Sequence, residues 1–224
     1  MIEVISATRK TEEEFWTTTA TGLSLLRLKF DKAICSHIVY ANQRGLPDIY
    51  NERIQARNNS ELLVFMHDDV WIEDMFFSQR VADGLAAYDI IGVAGNRRRV
   101  PLQPAWCFID SKMNPDKPEN LSGTVAHGHD PFGRPNFCGP APAACELLDG
   151  VFLAARKSAL QQSNTRFDPA FHFHFYDLDF CRTARKNQLR LGTWPISLTH
   201  QSPGLFNSDA WREKYQRYLE KWKF

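Results

Sequence analysis

The run Met66-His67-Asp68-Asp69-Val70 closes an apolar stretch, Leu62 to Met66, with one imidazole and two carboxylates. A buried strand that stops this abruptly delivers hard oxygen ligands at its carboxyl end, the edge where open α/β sheets bind ligands. Adjacent carboxylates repel each other, and a divalent cation is one way to offset that repulsion. The other reading of Asp68 and Asp69 is a solvated turn that caps the next helix. A second acidic pair lies in Phe175-Tyr176-Asp177-Leu178-Asp179-Phe180. Two residues turn a helix through about 200°, so Asp177 and Asp179 point nearly opposite ways and only one can face a given cleft. The dipole at a helix N-terminus favours the ionised form of both, and plain capping is the alternative role. His200 follows the apolar stretch Leu191 to Thr199 and gains weight as a ligand only beside a second one. The pairs His127-x-His129 and His172-x-His174 set two imidazoles on one face of an extended chain, as zinc sites do, yet no third ligand stands at motif spacing.

The elements that would position these residues alternate along the first half. Glu3 to Thr8 and Ala33 to Ala41 are β-branched and apolar runs that predict buried strands. Between Leu46 and Arg57, Ile49, Arg53 and Ile54 fall at helical spacing behind a proline in the first turn. Leu62 to Met66 predicts a third strand. Asp74 can cap a helix in which Phe77, Val81 and Leu85 recur every four residues, and Ile90 to Ala94 predicts a fourth strand, closed by Gly95. Strand, helix, strand, helix, strand is the pattern of an α/β sandwich with a mostly parallel sheet.

The middle of the chain reads differently. From Val100 to Cys145, eight prolines and little periodicity disfavour regular structure. Trp106, Phe108, Phe132 and Phe137 are nevertheless too apolar for a solvated loop. The segment either packs these rings against the domain, makes a dimer contact, or closes over a ligand as a lid. Order returns at Leu147 to Ala155, followed by a short helix from Lys157 and a helix over Tyr176 to Asn187. Leu191 to Thr199 predicts a strand interrupted by Pro195. From Ser208 an amphipathic helix carries Trp211, Tyr215, Tyr218, Leu219 and Trp222 on one face.

The 224 residues, 43% of them hydrophobic, support a sizeable core and exclude global disorder. Lys and Arg number 27 against 26 Asp and Glu, a net charge of +1, so nucleic acid and anionic membranes are not expected partners. Arg97-Arg98-Arg99 is one run that could make a locally basic cleft. Five cysteines, an odd number without a C-x-x-C pair, argue against a disulfide scaffold or a zinc ribbon and for a reducing compartment. Met1 to Phe15 carries four glutamates and no apolar core, unlike a signal peptide, and no apolar run approaches the ~20 residues of a transmembrane span. A soluble, cytoplasmic protein is the expectation.

The order of these features resembles the family 2-like glycosyltransferases of GT-A fold, most closely the branch with a histidine opening the aspartate motif. Tyr50-Asn51-Glu52-Arg53-Ile54 looks like that family's helix before the metal strand, and Leu62 to Val70 is similar to its strand plus D-x-D motif. Leu148-Asp149-Gly150-Val151-Phe152-Leu153-Ala154-Ala155-Arg156 looks like its acceptor-side strand. Phe167-Asp168-Pro169 through Tyr176-Asp177-Leu178-Asp179-Phe180-Cys181-Arg182 resembles its E-D-x-D block, and Thr199-His200 its terminal histidine. The resemblance runs from Val4 to near Trp222. It departs at His67, which takes the first D-x-D position, and at Tyr176, which replaces the glutamate before the catalytic aspartate. Asn42 stands where such enzymes often set an aspartate against the donor base.

This resemblance implies an α/β, GT-A-like Rossmann-type single domain over residues 1–224, with a mostly parallel mixed central sheet flanked by helices. A Pro-rich insertion would occupy residues 100–146 and the amphipathic helix residues 208–222. The implied reaction moves a sugar from a nucleotide-diphosphate sugar to an acceptor hydroxyl, carbohydrate or other, with inversion. Asp177 would be the base, and Asp69, His200 and His67 would hold Mn2+ or Mg2+. Asn42, Asn51 and Asp68 fall to the donor, and Asp149, Gly150, Asp179 and Trp106 to the acceptor side. A homodimer is left open. The rivals are a catalytically inactive nucleotide-sugar or carbohydrate-binding module of the same fold, favoured by His67 and Tyr176, and a metal hydrolase built on the His-x-His pairs.

Overall fold

The computed structural model describes residues 1–202, 204 and 206–223. The chain opens with β1 (Ile2–Ala7), α1 (Glu12–Thr18), α2 (Ala20–Arg27) and β2 (Ile34–Val39). Helix α3 (Leu46–Gln55) leads into β3 (Leu62–Met66), and the His-Asp-Asp turn carries the chain into β4 (Val70–Ile72). Helix α4 (Phe77–Ala87) returns it to β5 (Ile90–Gly92) and β6 (Ala94–Asn96). After an excursion come β7 (Leu121–His127), β8 (Arg134–Gly139), β9 (Ala143–Cys145), β10 (Leu147–Leu148) and β11 (Phe152–Arg156). The rest is α5 (Lys157–Gln162), α6 (Tyr176–Lys186), β12 (Leu191–Thr193), β13 (Leu198–His200) and α7 (Asp209–Trp222).

The larger sheet has the order β2-β1-β3-β11-β5-β12-β9. Strands β2, β1, β3, β5 and β12 share one direction, while β11 and β9 run against it, so the sheet is mixed but mostly parallel. Side chains alternate across it. Ile5, Leu63, Phe65, Leu153 and Ala155 pack on one face against Ile49, Tyr50 and Ile54 of α3 and Leu178 and Phe180 of α6. Val4, Val64, Met66, Phe152 and Ala154 pack on the other against Phe77, Val81 and Leu85 of α4. Both faces are covered, which explains why these strands read as continuous apolar runs. The smaller sheet has the order β10-β6-β7-β13-β4, with β8 on β7.

Several elements differ from the sequence reading. Residues 9–32, which gave no pattern, hold α1 and α2. Thr11 and Glu14 form a capping box at α1, and Thr19 serves both helices, its hydroxyl donating to Phe15 O at 2.7 Å and accepting from Gly22 N at 3.0 Å. Threonines lower helix propensity and hide such a junction. Asp74 is not the cap of α4. Its carboxylate accepts from Phe76 N at 2.9 Å, and Phe76 itself is the N-cap. The long excursion is regular in its second half, since β7, β8 and β9 occupy residues 121–145. Pro135 is tolerated because β8 pairs with β7 alone and keeps an open edge. The stretch from Leu191 to Thr199 is two strands in two sheets, and Pro195 lies at the crossing.

Candidate active site

Strand register assembles the site from the residue upward. Strand β13 pairs antiparallel with β4, His200 opposite Val70, and parallel with β7, His200 opposite His127. Asp69 precedes Val70, so the pairing lays it against His200, and Gln201 N donates to Asp69 O at 3.0 Å. Helix α2 fixes the turn from below. Thr21 Oγ1 lies 2.7 Å from His67 O and 3.0 Å from Val70 O, and Thr21 N donates to Asp68 O at 3.1 Å.

Three side chains converge there. One ligand atom each from His67, Asp69 and His200 lies within 4.8 Å of the others. His67 Nδ1 stands 3.9 Å and His200 Nε2 3.3 Å from Asp69 Oδ1. Asp69 Oδ1 and His200 Nε2 are both buried without an aligned hydrogen-bond partner among the described residues. Buried polar atoms left unpaired cost about 1–3 kcal/mol each, and a cation between them would remove that cost. Burial raises the Asp69 carboxyl, but contact with His200 and the proximity of His67 outweigh it and hold its pKa below the usual range. Burial pushes the His67 imidazole down, toward its neutral, ligand-competent form. The residues fit a divalent ion.

The second half of the site is the start of α6. Phe175 holds a φ of 66°, a left-handed conformation costing a residue with a side chain about 1–2 kcal/mol, and the helix begins at the next residue. Asp177 turns to the cleft and accepts from Gly150 N at 3.0 Å. Burial, then the nearby Asp149 charge, raise its carboxyl to about 7, so the helix N-terminus does not keep it fully ionised as the sequence led us to expect. Tyr176 donates its hydroxyl to Gly150 O at 2.7 Å, and the same oxygen is 3.0 Å from His67 Nε2. A Cβ on Gly150 would lie 2.7 Å from that hydroxyl and 2.8 Å from Asp177 Cβ, so only glycine permits this approach.

These groups line one cleft of about 320 Å³, together with Trp106, His127, Asp149, Phe173 and His174. Phe173 stacks on His67 with centroids 5.6 Å apart and planes 25° from parallel. No lysine or arginine is among the described residues that line it, and Arg97-Arg98-Arg99 lies elsewhere, with Arg98 bound to Asp116. Asp68 and Asn42 are not among the residues that line the cleft; they are joined through Thr8, just past β1, and the Asn42 side chain bonds the Arg44 backbone. Thr8 Oγ1 donates to Asp68 Oδ2 at 2.5 Å, and Asn42 N donates to Thr8 O at 2.8 Å.

Other candidates are not brought in. Asp179 is fully buried, with its oxygens on Lys221 Nζ and Trp222 Nε1 of α7, and it faces away from the cleft. Asn51 clamps the backbone of Phe167, donating to its carbonyl at 2.8 Å and accepting from its amide at 3.0 Å. Each His-x-His pair sends one imidazole to the cleft, His127 or His174, and leaves its exposed partner, His129 or His172, outside. Neither pair forms a metal cluster among the described residues. Thr21 and Phe173 gave no sequence signal. His127, marked in sequence only as half of a His-x-His pair, enters the site through register, its Nδ1 buried and without a partner among the described residues and its ring centroid 5.9 Å from that of His200.

The catalytic domain of Drosophila β1,4-galactosyltransferase 7, solved with xylobiose, superposes on 96% of this chain and 79% of its own, with a TM-score of 0.50 and 12% identity. GalNAc-T7 with UDP, GalNAc and Mn2+ superposes on 98% of this chain with a TM-score of 0.53 and 9% identity, and S. aureus TarS on 97% with 0.52 and 13%. The chain has the GT-A fold. It spans 48% of the GalNAc-T7 chain and 38% of the TarS chain. No protein-family model matches the sequence, and no curated protein does. Within this GT-A frame the His-Asp-Asp turn lies at the carboxyl end of β3, on the ligand-binding edge of the sheet.

Proposed function

We propose that the protein is a glycosyltransferase that moves a sugar from a nucleotide-diphosphate sugar to an acceptor hydroxyl with inversion. The observation that carries this reading is a single cleft holding both a cation-ready trio, His67, Asp69 and His200, and a carboxyl tuned to about 7, Asp177. A divalent ion held by the trio supplies charge compensation for a departing diphosphate. In this reading the donor lies along the ends of β3, β1 and β2, where Asp68 and Asn42 are linked through Thr8. Trp106 and Asp149 belong to the acceptor side, while Asp179 supports α6 from behind.

A hydroxyl is a poor nucleophile until a base takes its proton, and a base is most effective with a pKa near the working pH. Asp177 meets that condition. Asp149 raises the Asp177 pKa by its charge, and its own Oδ1 accepts from Val151 N at 3.1 Å. With Asp177 as base and Asp149 cast as its charged neighbour, the proposed reaction is a single displacement. The rings of Trp106, Phe173 and Phe175 give the cleft apolar walls. Five free thiols suit a reducing cytoplasm.

The test is nucleotide release from a panel of nucleotide sugars, with and without Mn2+, for the wild type and Asp177→Asn. Transfer should fall by about 10²–10⁴ in the variant while donor affinity holds. Donor binding without turnover by the wild type would identify a binding module instead, and NMR of the new anomeric centre would report the stereochemistry.

A further inference from the structure

Tyr176 is 3% exposed and its hydroxyl has two neighbours, Gly150 O at 2.7 Å and His67 Nε2 at 3.0 Å. A carbonyl oxygen can only accept, so the single phenolic proton points to Gly150. His67 Nε2 must then carry a hydrogen and donate it to the phenol oxygen. A neutral imidazole has one N–H, which leaves Nδ1 with its lone pair. That nitrogen faces Asp69 Oδ1 at 3.9 Å, on the side where Asp69 and His200 leave buried polar atoms unpaired. Phe173, stacked on the ring, opposes rotation out of this position.

We propose that Tyr176 is a positioning residue that locks His67 in the tautomer whose Nδ1 binds the cation, making the centre one of two nitrogens and one oxygen. The proposal rests on the reading of the trio as a cation site. Imidazole nitrogen suits Co2+, Zn2+ and related transition ions, whereas Mg2+ prefers oxygen. Tyr176 therefore bears on which metal is bound as well as on how tightly. Outer-shell partners of metal-bound histidines typically change affinity by about 10–100-fold.

Two measurements on the whole chain test this. In metal-free, 15N-labelled wild type, long-range proton–nitrogen correlations should show His67 protonated at Nε2; protonation at Nδ1 overturns the proposal without a variant. Calorimetry with Co2+ alone and with Mg2+ alone then compares wild type, Tyr176→Phe, His67→Ala and the double variant. Tyr176→Phe should weaken Co2+ by about 10–100-fold, leave Mg2+ nearly unchanged, and add nothing in the His67→Ala background. Equal Co2+ affinity in wild type and Tyr176→Phe, or the same loss with His67 already removed, overturns it. Absence of Co2+ binding by the folded wild type removes the cation reading itself, and the lock as a device for metal with it.

Discussion

An Asp177 carboxyl with a pKa of about 7 is half protonated at neutral pH, and this has consequences in opposite directions for activity and stability. A base works ionised, so kcat/KM should climb through an ascending limb near pH 7. Removing the Asp149 charge favours ionisation, and Asp149→Asn should move that limb to lower pH at the same metal concentration. A limb that stays in place would detach Asp149 from the base. For stability the sign reverses. The folded pKa lies above the ordinary 3.8, so the fold loses stability as pH rises from about 4 through about 7. Asp177→Asn escapes that loss: it should melt above the wild type at pH 8 and show no gain near pH 3. Thermal unfolding at both pH values measures it. The chemistry of Asp177 was legible in sequence as a carboxylate at a helix start, but its environment was not, because Asp149 reaches it only through the fold.

Among the elements, the excursion between β6 and β7 shows what composition can hide. Asp116, nearly buried, gathers Asn96, Arg98, Asn120 and the Lys117 amide onto one carboxylate. Burial opposes its ionisation, but the Arg98 guanidinium and the two amide side chains prevail and hold the carboxyl far below the usual range. Gln103 and Asn96 grip Trp106 O from either side, and Tyr215 of α7 donates to Leu102 O at 2.5 Å. These bonds anchor this part of the loop to the domain and favour the packed reading for Trp106, whereas Phe132 and Phe137 stay exposed. Asp116→Ala should cost about 2 kcal/mol. It should also open the bond after Lys112 to trypsin, while the wild type resists cleavage there with or without nucleotide sugar. Because the folded pKa is depressed, the contribution is present above about pH 4 and fades as pH falls below it. Proline counting could not reveal this, since the hub depends on one aspartate meeting partners up to 20 residues away.

At the scale of the whole molecule, the trio joins two sheets. His67 ends a strand of the larger sheet, and His200 ends a strand of the smaller one. A ligand gripping both favours the folded chain by mass action, about 2.7 kcal/mol at a hundred times its dissociation constant. Mn2+ should therefore raise the melting temperature of the wild type and leave Asp69→Ala unmoved, whereas Asp68→Ala, whose carboxylate sits on Thr8, should retain most of the shift. An equal shift in wild type and Asp69→Ala would place the ion elsewhere. The order of motifs made the main sheet readable from sequence, because parallel strands buried on both faces leave apolar runs. The smaller sheet was not readable. Its strands are short, three residues or fewer apart from β7 and β8, and the pairing that builds the site joins positions more than a hundred residues apart, Val70 and His200.

One residue, Gly150, holds both halves of the centre through the two peptide planes that meet at its Cα: its N–H donates to Asp177 and its carbonyl accepts from Tyr176, which in turn holds His67. Shifting that Cα would move an acid–base group and an imidazole together, like two hands on one axle. Even a methyl group there collides with both partners, so Gly150→Ala should damage Co2+ affinity and turnover in a single stroke, whereas mutating either partner should harm mainly its own half. Anyone transplanting this chemistry to another scaffold would have to move the axle with its hands: a bare glycine in the turn between two strands, facing a helix that starts Tyr-Asp, across from a histidine.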